Sequence, residues 1–187
     1  MYDLIVIGGG AAGLMAAGTA ARNGRRVLLL EKMEKTGRKV RITGKGRCNL
    51  TNARPPEEFA GKVRVNADFF APAFNAFNNR ATFRFFESIG VKLDVERGDR
   101  VFPRSGKAWD VAQALVDWCR DEGVTVQCDT RVKEVLTVGS RVYGVRYVNK
   151  RGFERKEESD AVIVATGGVS YAATGSTGDG YRFAEAT

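Results

Sequence analysis

The spacing of apolar residues in the first 31 positions predicts a strand, a helix and a second strand. Residues 2–7 (YDLIVI) form an apolar run of strand length, and Val27–Leu30 form another. The alanine-rich stretch between them opens on three glycines and is closed by Gly24, which is typical of a helix. Because both strands are apolar on both faces, they indicate a parallel sheet covered by helices. The pattern therefore predicts a βαβ unit over residues 2–31.

The next segment, residues 34–106, is predicted to hold a basic loop and then a Phe-rich helical stretch. Residues 66–90 contain seven of the eleven phenylalanines. Three of them share the spacing of one helical face: Phe70, Phe74 and Phe77. This stripe favours packing between helices, with an aromatic wall for a ring-shaped ligand as the alternative. Residues 91–102 then predict a short β-hairpin.

The second half of the chain predicts one more helix followed by strands. An amphipathic pattern indicates a helix and then a buried strand within residues 107–128. Turn residues next divide three β-like runs, 131–138, 141–148 and 152–157. These runs predict an antiparallel meander over residues 131–157. A further apolar run predicts a return strand over residues 160–168, ending in an Ala-Thr-Gly turn.

Composition excludes several classes of function. The chain has 187 residues and no histidine, which excludes Ser–His–Asp and Cys–His catalysis and the usual zinc sites, so we expect no metal. Its three widely spaced cysteines predict reduced thiols. No apolar run is long enough to cross a bilayer, and residues 1–30 lack the pattern of a signal peptide. We therefore expect a cytoplasmic protein without a membrane partner.

The formal net charge of +8 is concentrated in one place. Between Lys35 and Pro56 there are seven basic residues and no acidic one. Charge confined to so short a segment favours a local phosphate site over an extended nucleic-acid face. We therefore do not expect a nucleic-acid partner, and an RNA contact through this segment stands as the alternative.

A glycine motif directly follows the first strand and opens the first helix. In this G-x-G-x-x-G pattern the glycines are Gly8, Gly10 and Gly13. In order, they permit a tight turn, a close approach to a pyrophosphate, and close packing of helix on strand. The N–H groups of the helix N terminus, where Ala11 and Ala12 lie, are available to the phosphates. Glu31 ends the second strand and is placed to accept a ribose 2′-OH, which favours FAD or NAD over NADP. The alternative is a glycine-rich turn that binds nothing.

The order of elements after the βαβ unit resembles that of FAD enzymes with the glutathione-reductase type of fold. In that group a meander interrupts the Rossmann sheet. The resemblance implies an α/β fold: a Rossmann-like FAD-binding domain with a parallel sheet, helices and a three-stranded antiparallel meander. It also implies that Val132 contacts FAD through its backbone and that Ala165, Thr166 and Gly167 form a second dinucleotide fingerprint.

Three stretches sharpen this resemblance: GRKVRITGKGRCNLTN (37–52), RVFPRSGKAWDV (100–111) and ATGGVSYAATGSTGDGYRFAEA (165–186). Together they resemble the bacterial NAD(P)/FAD-dependent, aminoacetone-oxidase-like oxidoreductases, which include reductases of bile-acid dehydroxylation. The resemblance implies hydride transfer between bound FAD and either NAD(P)H or a small organic substrate. Members of that family are longer, with an inserted substrate domain and a C-terminal return segment. Residues 1–187 are therefore expected to form an incomplete FAD-binding domain, with the missing half as a candidate partner.

The basic loop supplies the remaining expected site residues. The predicted set is Lys32, Arg38, Lys39, Thr43, Gly44, Gly46, Arg47, Cys48 and Asn49. Arg38, Lys39 and Arg47 are expected to neutralise the FAD pyrophosphate, and a solvated basic loop is the alternative. The threonine and glycines shape the loop, and the asparagine meets the flavin edge. Cys48 is the one candidate catalytic residue, although we favour a small residue packed beside the cofactor.

Two further hypotheses compete with an FAD-dependent oxidoreductase for the function of the whole chain. One is a flavoprotein that binds and modifies RNA, in which the basic loop contacts the nucleic acid. The second is a truncated, non-catalytic dinucleotide-binding module.

Overall fold

The computed structural model describes residues 1–187, which fold into two compact units. The first unit comprises residues 1–40 and 115–187, and the second comprises residues 41–114. The strands are β1 (Tyr2–Ile7), β2 (Val27–Leu30), β3 (Thr51–Asn52), β4 (Leu93–Glu96), β5 (Arg100–Pro103), β6 (Thr125–Gln127), β7 (Arg131–Val138), β8 (Arg141–Val148) and β9 (Glu154–Val164). The helices are α1 (Ala11–Arg22), α2 (Arg38–Ile42), α3 (Pro56–Ala60), α4 (Ala67–Ala76), α5 (Asn79–Ser88), α6 (Ala108–Asp121) and α7 (Asp179–Ala186).

A six-stranded sheet forms the centre of the first unit, in the order β6-β2-β1-β9-β8-β7. Strands β6, β2 and β1 and the second half of β9 are parallel, whereas β7, β8 and the first half of β9 are antiparallel. Helix α1 connects β1 to β2, so these three elements form the βαβ unit at residues 2–30. The predicted fold class, a parallel sheet with helices plus a three-stranded antiparallel meander, is confirmed.

The structure differs from the prediction at β9. The runs predicted as a third meander strand (152–157) and a separate return strand (160–168) are joined in one strand of 11 residues. The residues between the runs, 158–159, include neither glycine nor proline, so nothing in the backbone forces a turn there. Ser159 lies in the middle of β9 and is buried. The polar residues that suggested a break therefore lie within a continuous strand.

Alternate residues of the central strands face a buried apolar cluster. Its members are Ile5, Ile7, Leu28, Leu30, Val132, Val145, Tyr147 and Phe183. The cluster therefore joins β1 and β2 to the meander and to α7. On α1, Gly18 lies against the Trp118 ring, and a methyl group at Gly18 would lie 2.4 Å from it. This close approach packs α1 against the end of α6.

The second unit contains a small antiparallel sheet, β3-β5-β4, and helices. Its β4–β5 hairpin coincides with the hairpin predicted for residues 91–102. Phe74 stacks on Phe70 and on Phe59 of α3, with ring centroids 5.2 and 5.0 Å apart, so packing accounts for these phenylalanines. Phe77 is not on the same helix, because α4 ends at Ala76 and the Asn78 side chain caps the next helix.

None of the helices is both long enough and apolar enough to cross a membrane.

Candidate dinucleotide-binding site

The glycine motif lies at the carboxyl end of β1, and two of its glycines are required by contacts within the first unit. Gly8 has a φ of +105°, and a methyl group there would lie 2.6 Å from the Ala165 carbonyl oxygen. A methyl group at Gly13 would lie 1.8 Å from the Gly8 carbonyl oxygen. The turn and the close packing of α1 on it therefore need glycine at both positions.

Gly10 is in the opposite situation. It precedes α1 with φ −79° and ψ −173°, angles open to any residue, and a methyl group there would have no atom within 4 Å. No side chain caps α1, and its first turn contains no acidic residue. Ala11 and Ala12 are exposed. The first N–H groups of α1 have no partners within the helix, so they lie beside a space that a phosphate group fits.

Glu31 is fixed beside this turn by two backbone hydrogen bonds. Its Oε2 accepts from the Gly9 N–H at 2.7 Å and its Oε1 accepts from the Met33 N–H at 2.8 Å. A carboxylate has about four acceptor positions, so both oxygens retain capacity for a further donor. The carboxylate is thus held rigidly in a state suited to accept hydrogen bonds from a ribose diol.

The second fingerprint and the start of β7 lie next to the same turn. The Ala165 N–H donates to the Ile7 carbonyl at 2.8 Å, which places the Ala165–Gly167 turn directly against the glycine motif. The Thr130 N–H donates to the Glu31 carbonyl at 2.8 Å, bringing the start of β7 alongside. Val132 points its side chain into the core, and the pairing with β8 is irregular just after it. The fold therefore gathers four predicted elements at the carboxyl ends of β1, β2 and β9.

Lys32 makes a half-buried ion pair that its sequence context did not reveal. Its Nζ lies 2.6 Å from Asp179 Oδ2 and 2.6 Å from Thr177 Oγ1, and both charged side chains are only 16% exposed. Burial alone raises the pKa of Asp179, but hydrogen bonding and the charge of Lys32 outweigh it and hold that pKa below its ordinary value. Lys32 therefore anchors the start of α7 to the end of β2.

Arg38 and Lys39 contact the segment that follows the Ala-Thr-Gly turn. Arg38 pairs with Glu34 at 2.5 Å and donates to the Ala173 carbonyl at 3.0 Å. Lys39 Nζ donates to the Ser170 carbonyl at 2.8 Å. Both cations are thus held within the first unit, and their role toward a pyrophosphate remains a prediction.

The remaining predicted residues lie in the second unit, in a compact turn. Thr43–Gly46 form a single 3-10 turn in which Gly44 and Lys45 have left-handed backbone angles. The Cys48 N–H donates to the Thr43 carbonyl at 3.0 Å and closes the turn. The Asn49 amide nitrogen, in the orientation that satisfies its neighbours, donates to the Val101 carbonyl at 3.2 Å. This asparagine therefore ties the turn to β5, and its contact with a flavin remains a prediction.

Cys48 does not have the surroundings of an activated thiol. It is 5% exposed, and burial raises the pKa of its thiol despite a hydrogen bond with Thr43. The thiolate is the reactive form of cysteine, so a raised pKa suppresses reactivity near neutral pH. This environment favours the interpretation of Cys48 as a small buried residue.

Arg47 carries an intrachain partner that counting charges could not show. Its guanidinium pairs with Glu96 of β4 and lies over the Phe102 ring, 4.3 Å from the centroid. Arg54 is similarly placed, with its Nε 3.2 Å from Asp99. Part of the positive charge between Lys35 and Pro56 is therefore balanced by carboxylates of the same unit.

The paired arginines allow a matched test of the predicted pyrophosphate contact. If Arg47 also neutralises the cofactor, Arg47→Glu should lower FAD affinity about tenfold more than Arg54→Glu, because a charge-assisted phosphate contact is lost. Both substitutions break ion pairs that are partly exposed, so their effects on stability should be similar and small. Equal FAD affinities, measured by fluorescence titration, would limit Arg47 to its contacts with Glu96 and Phe102.

Comparison with known proteins places the chain in a family. Residues 2–187 match the HI0933-like protein Rossmann domain family, and the chain belongs to it. It is 34% identical over 187 residues to the 3-dehydro-bile acid delta(4,6)-reductase of Clostridium scindens, covering 98% of this chain and 43% of that protein. It is 31% identical to the ribosomal RNA dihydrouridine synthase of Escherichia coli, covering 98% and 44%. The chain thus spans less than half the length of these curated relatives. The family resemblance drawn from its motifs is confirmed.

Solved structures share the fold. The 3-ketosteroid-delta4-(5alpha)-dehydrogenase of Rhodococcus jostii RHA1 superposes with a TM-score of 0.72 at 20% identity, over 91% of this chain and 46% of that one. A flavocytochrome c3 fumarate reductase superposes with a TM-score of 0.62 at 22% identity, over 89% and 34%. At these identities the likeness supports the Rossmann-type fold of the chain.

Proposed function

We propose that this chain is the FAD-binding part of an oxidoreductase. The observation that carries the proposal is the uncapped N terminus of α1, where Gly10 leaves room for a phosphate and Glu31 is fixed beside it. A dinucleotide needs both features: N–H groups for its pyrophosphate and a carboxylate for its ribose. Similarity to proteins named as reductases and as a flavocytochrome supports FAD as that dinucleotide.

The residues nearest this space define how the chain would hold FAD. The glycine motif and the first turn of α1 would bind the pyrophosphate, and Glu31 would bind the ribose. The Ala165–Gly167 turn and the backbone at Val132 lie at the same end of the sheet and would complete the adenosine half of the site. FAD, when bound, supplies the hydride-accepting ring, while these residues supply position and electrostatics.

A reduced nicotinamide is the electron donor in this proposal. The chain is 30% identical to the NADH:fumarate oxidoreductase of Klebsiella pneumoniae, over 90% of this chain and 20% of that protein, which supports NADH as the donor. The substrate class is a small organic molecule, supported by the likeness to the bile acid reductase. A cytoplasmic location, in keeping with three free cysteines, belongs to the same proposal.

An absorption spectrum of the purified chain tests the proposed function. After incubation with excess FAD and removal of free ligand, the protein should retain a flavin spectrum, which anaerobic NADH should bleach. Bound flavin that NADH leaves oxidised would support a dinucleotide-binding module without this donor. A protein that retains no flavin at any FAD concentration would contradict the proposal.

An RNA substrate is the second candidate function. The ribosomal RNA dihydrouridine synthases of Escherichia coli and Haemophilus influenzae are 31% and 30% identical to this chain. This likeness weakens the expectation, drawn from the charge distribution, that the chain has no nucleic-acid partner. Binding of a ribosomal RNA fragment with an affinity that falls steeply as salt rises would favour this candidate, because released counterions produce that dependence. Absence of RNA binding at low salt would remove it.

A further inference from the structure

Strand β9 is paired on only one side along its second half. Its residues Glu154–Glu158 pair with β8, whereas Ser159–Val164 pair with β1. Strand β8 leaves β9 at Gly144, beyond which it pairs with β7 alone. The edge of residues 160–164 that faces away from β1 therefore has no neighbouring strand.

This open edge is apolar and accessible. Ile163 and Val164 are 39% and 44% exposed, although they lie beside the fully buried residues of β1. Val169 and Tyr181, 70% and 61% exposed, lie close by, since both approach Gly178 at the start of α7. We call these four residues the β9 patch. An apolar strand of this kind is typical of the interior of a parallel sheet, where both faces and both edges are covered.

The outer edges of the sheet are different. Strand β6 has only three residues, and β7 exposes the charged side chains of Arg131, Lys133 and Glu134. Short strands and charged side chains are the usual protection of a sheet edge against further pairing. The second half of β9 has neither protection, so its edge is suited to accept a strand.

We propose that the second half of β9 accepts one further parallel strand, supplied by the polypeptide that the longer relatives carry outside the matched region. More than half of the Clostridium scindens reductase lies outside that match, so such a segment exists there. A single strand fits between β9 and the diverging β8, whereas a second folded copy of this chain would bring a whole sheet with it. Parallel pairing follows from the apolar character of residues 161–164 on both faces. This inference does not depend on FAD.

Hydrogen exchange on two proteins tests the proposal. One is the 187-residue chain, and the other is a chimera in which the unmatched part of the Clostridium scindens reductase follows Thr187. The amides of residues 161–164 on the open edge should exchange at least about tenfold more slowly in the chimera, because strand pairing protects them. The amides of β6 should not change. Slow exchange of all four amides in the isolated chain, or unchanged exchange in the chimera, would overturn the proposal.

A pair of lysine substitutions provides a second, independent readout. Ile163→Lys places a charge at the open edge, and Val138→Lys places one at an exposed apolar position of β7. Ile163→Lys should lower the melting temperature of the chimera by more than that of the isolated chain, because only the chimera covers residue 163. Val138→Lys should have the same small effect in both proteins. Equal effects of Ile163→Lys in both proteins would contradict the proposed strand.

Discussion

The substitution Gly10→Ala is expected to lower FAD affinity by about tenfold to a hundredfold, equivalent to about 1.4–2.8 kcal/mol of binding free energy, and to leave stability unchanged. The backbone of Gly10 suits alanine, and no atom lies within 4 Å of the added methyl group. That methyl group instead occupies the space assigned to the pyrophosphate and separates it from the N–H groups of α1. Isothermal titration with FAD measures the affinity, and urea unfolding measures the stability.

Gly61→Ala is the matched control for this substitution. Gly61 has a φ of −62°, and a methyl group there would meet its nearest neighbour, the Glu57 carbonyl oxygen, at an ordinary 3.5 Å. It lies in the second unit, outside the predicted cofactor residues. Its substitution should change neither FAD affinity nor stability. If Gly10→Ala bound FAD as tightly as this control, the pyrophosphate would not lie at the N terminus of α1.

The substitution Gly13→Ala should instead destabilise the protein, by about 3 kcal/mol. Alanine is favoured over glycine within a helix by up to about 1 kcal/mol, so the sign of the effect depends on packing. A methyl group 1.8 Å from the Gly8 carbonyl oxygen cannot be accommodated unless α1 moves away from the turn. The neighbour is backbone, which has no alternative rotamer.

Urea unfolding without FAD gives the relevant measurement for Gly13→Ala. The midpoint should fall well below those of the wild type and of Gly10→Ala, which adds the same methyl group three residues earlier. A midpoint equal to that of Gly10→Ala would show that α1 does not pack on the Gly8 turn as described. The two substitutions thus separate the binding and packing roles of one motif.

Local sequence patterns predicted the parts of the fold that depend on neighbouring residues. The ends of β1 and β2 follow from short apolar runs bounded by polar residues, and the Gly8–Gly13 motif follows from backbone requirements that only glycine meets. The continuous strand β9 could not be predicted in this way, because its course is decided by pairing with β1 and β8 on opposite sides.

The side-chain partners of the candidate site were also beyond local patterns. Lys32 and Asp179 are 147 positions apart, and Arg47 and Glu96 are 49 apart. A charge count over residues 35–56 includes the cations but not the distant carboxylates that the fold brings to them. The sequence therefore predicts a phosphate site at the glycine motif, while the number of cations available to a ligand required the structure.

A competition titration tests the central claim, that the chain recognises the adenosine diphosphate half of FAD, most directly. Binding of FAD is followed by flavin fluorescence, and ADP or FMN is then added as competitor. ADP carries the pyrophosphate and the ribose diol assigned to Gly10 and Glu31, whereas FMN carries the flavin ring without either. We predict that ADP displaces FAD and that FMN does not. Displacement by FMN but not by ADP would contradict the assignment of the dinucleotide site to the N terminus of α1.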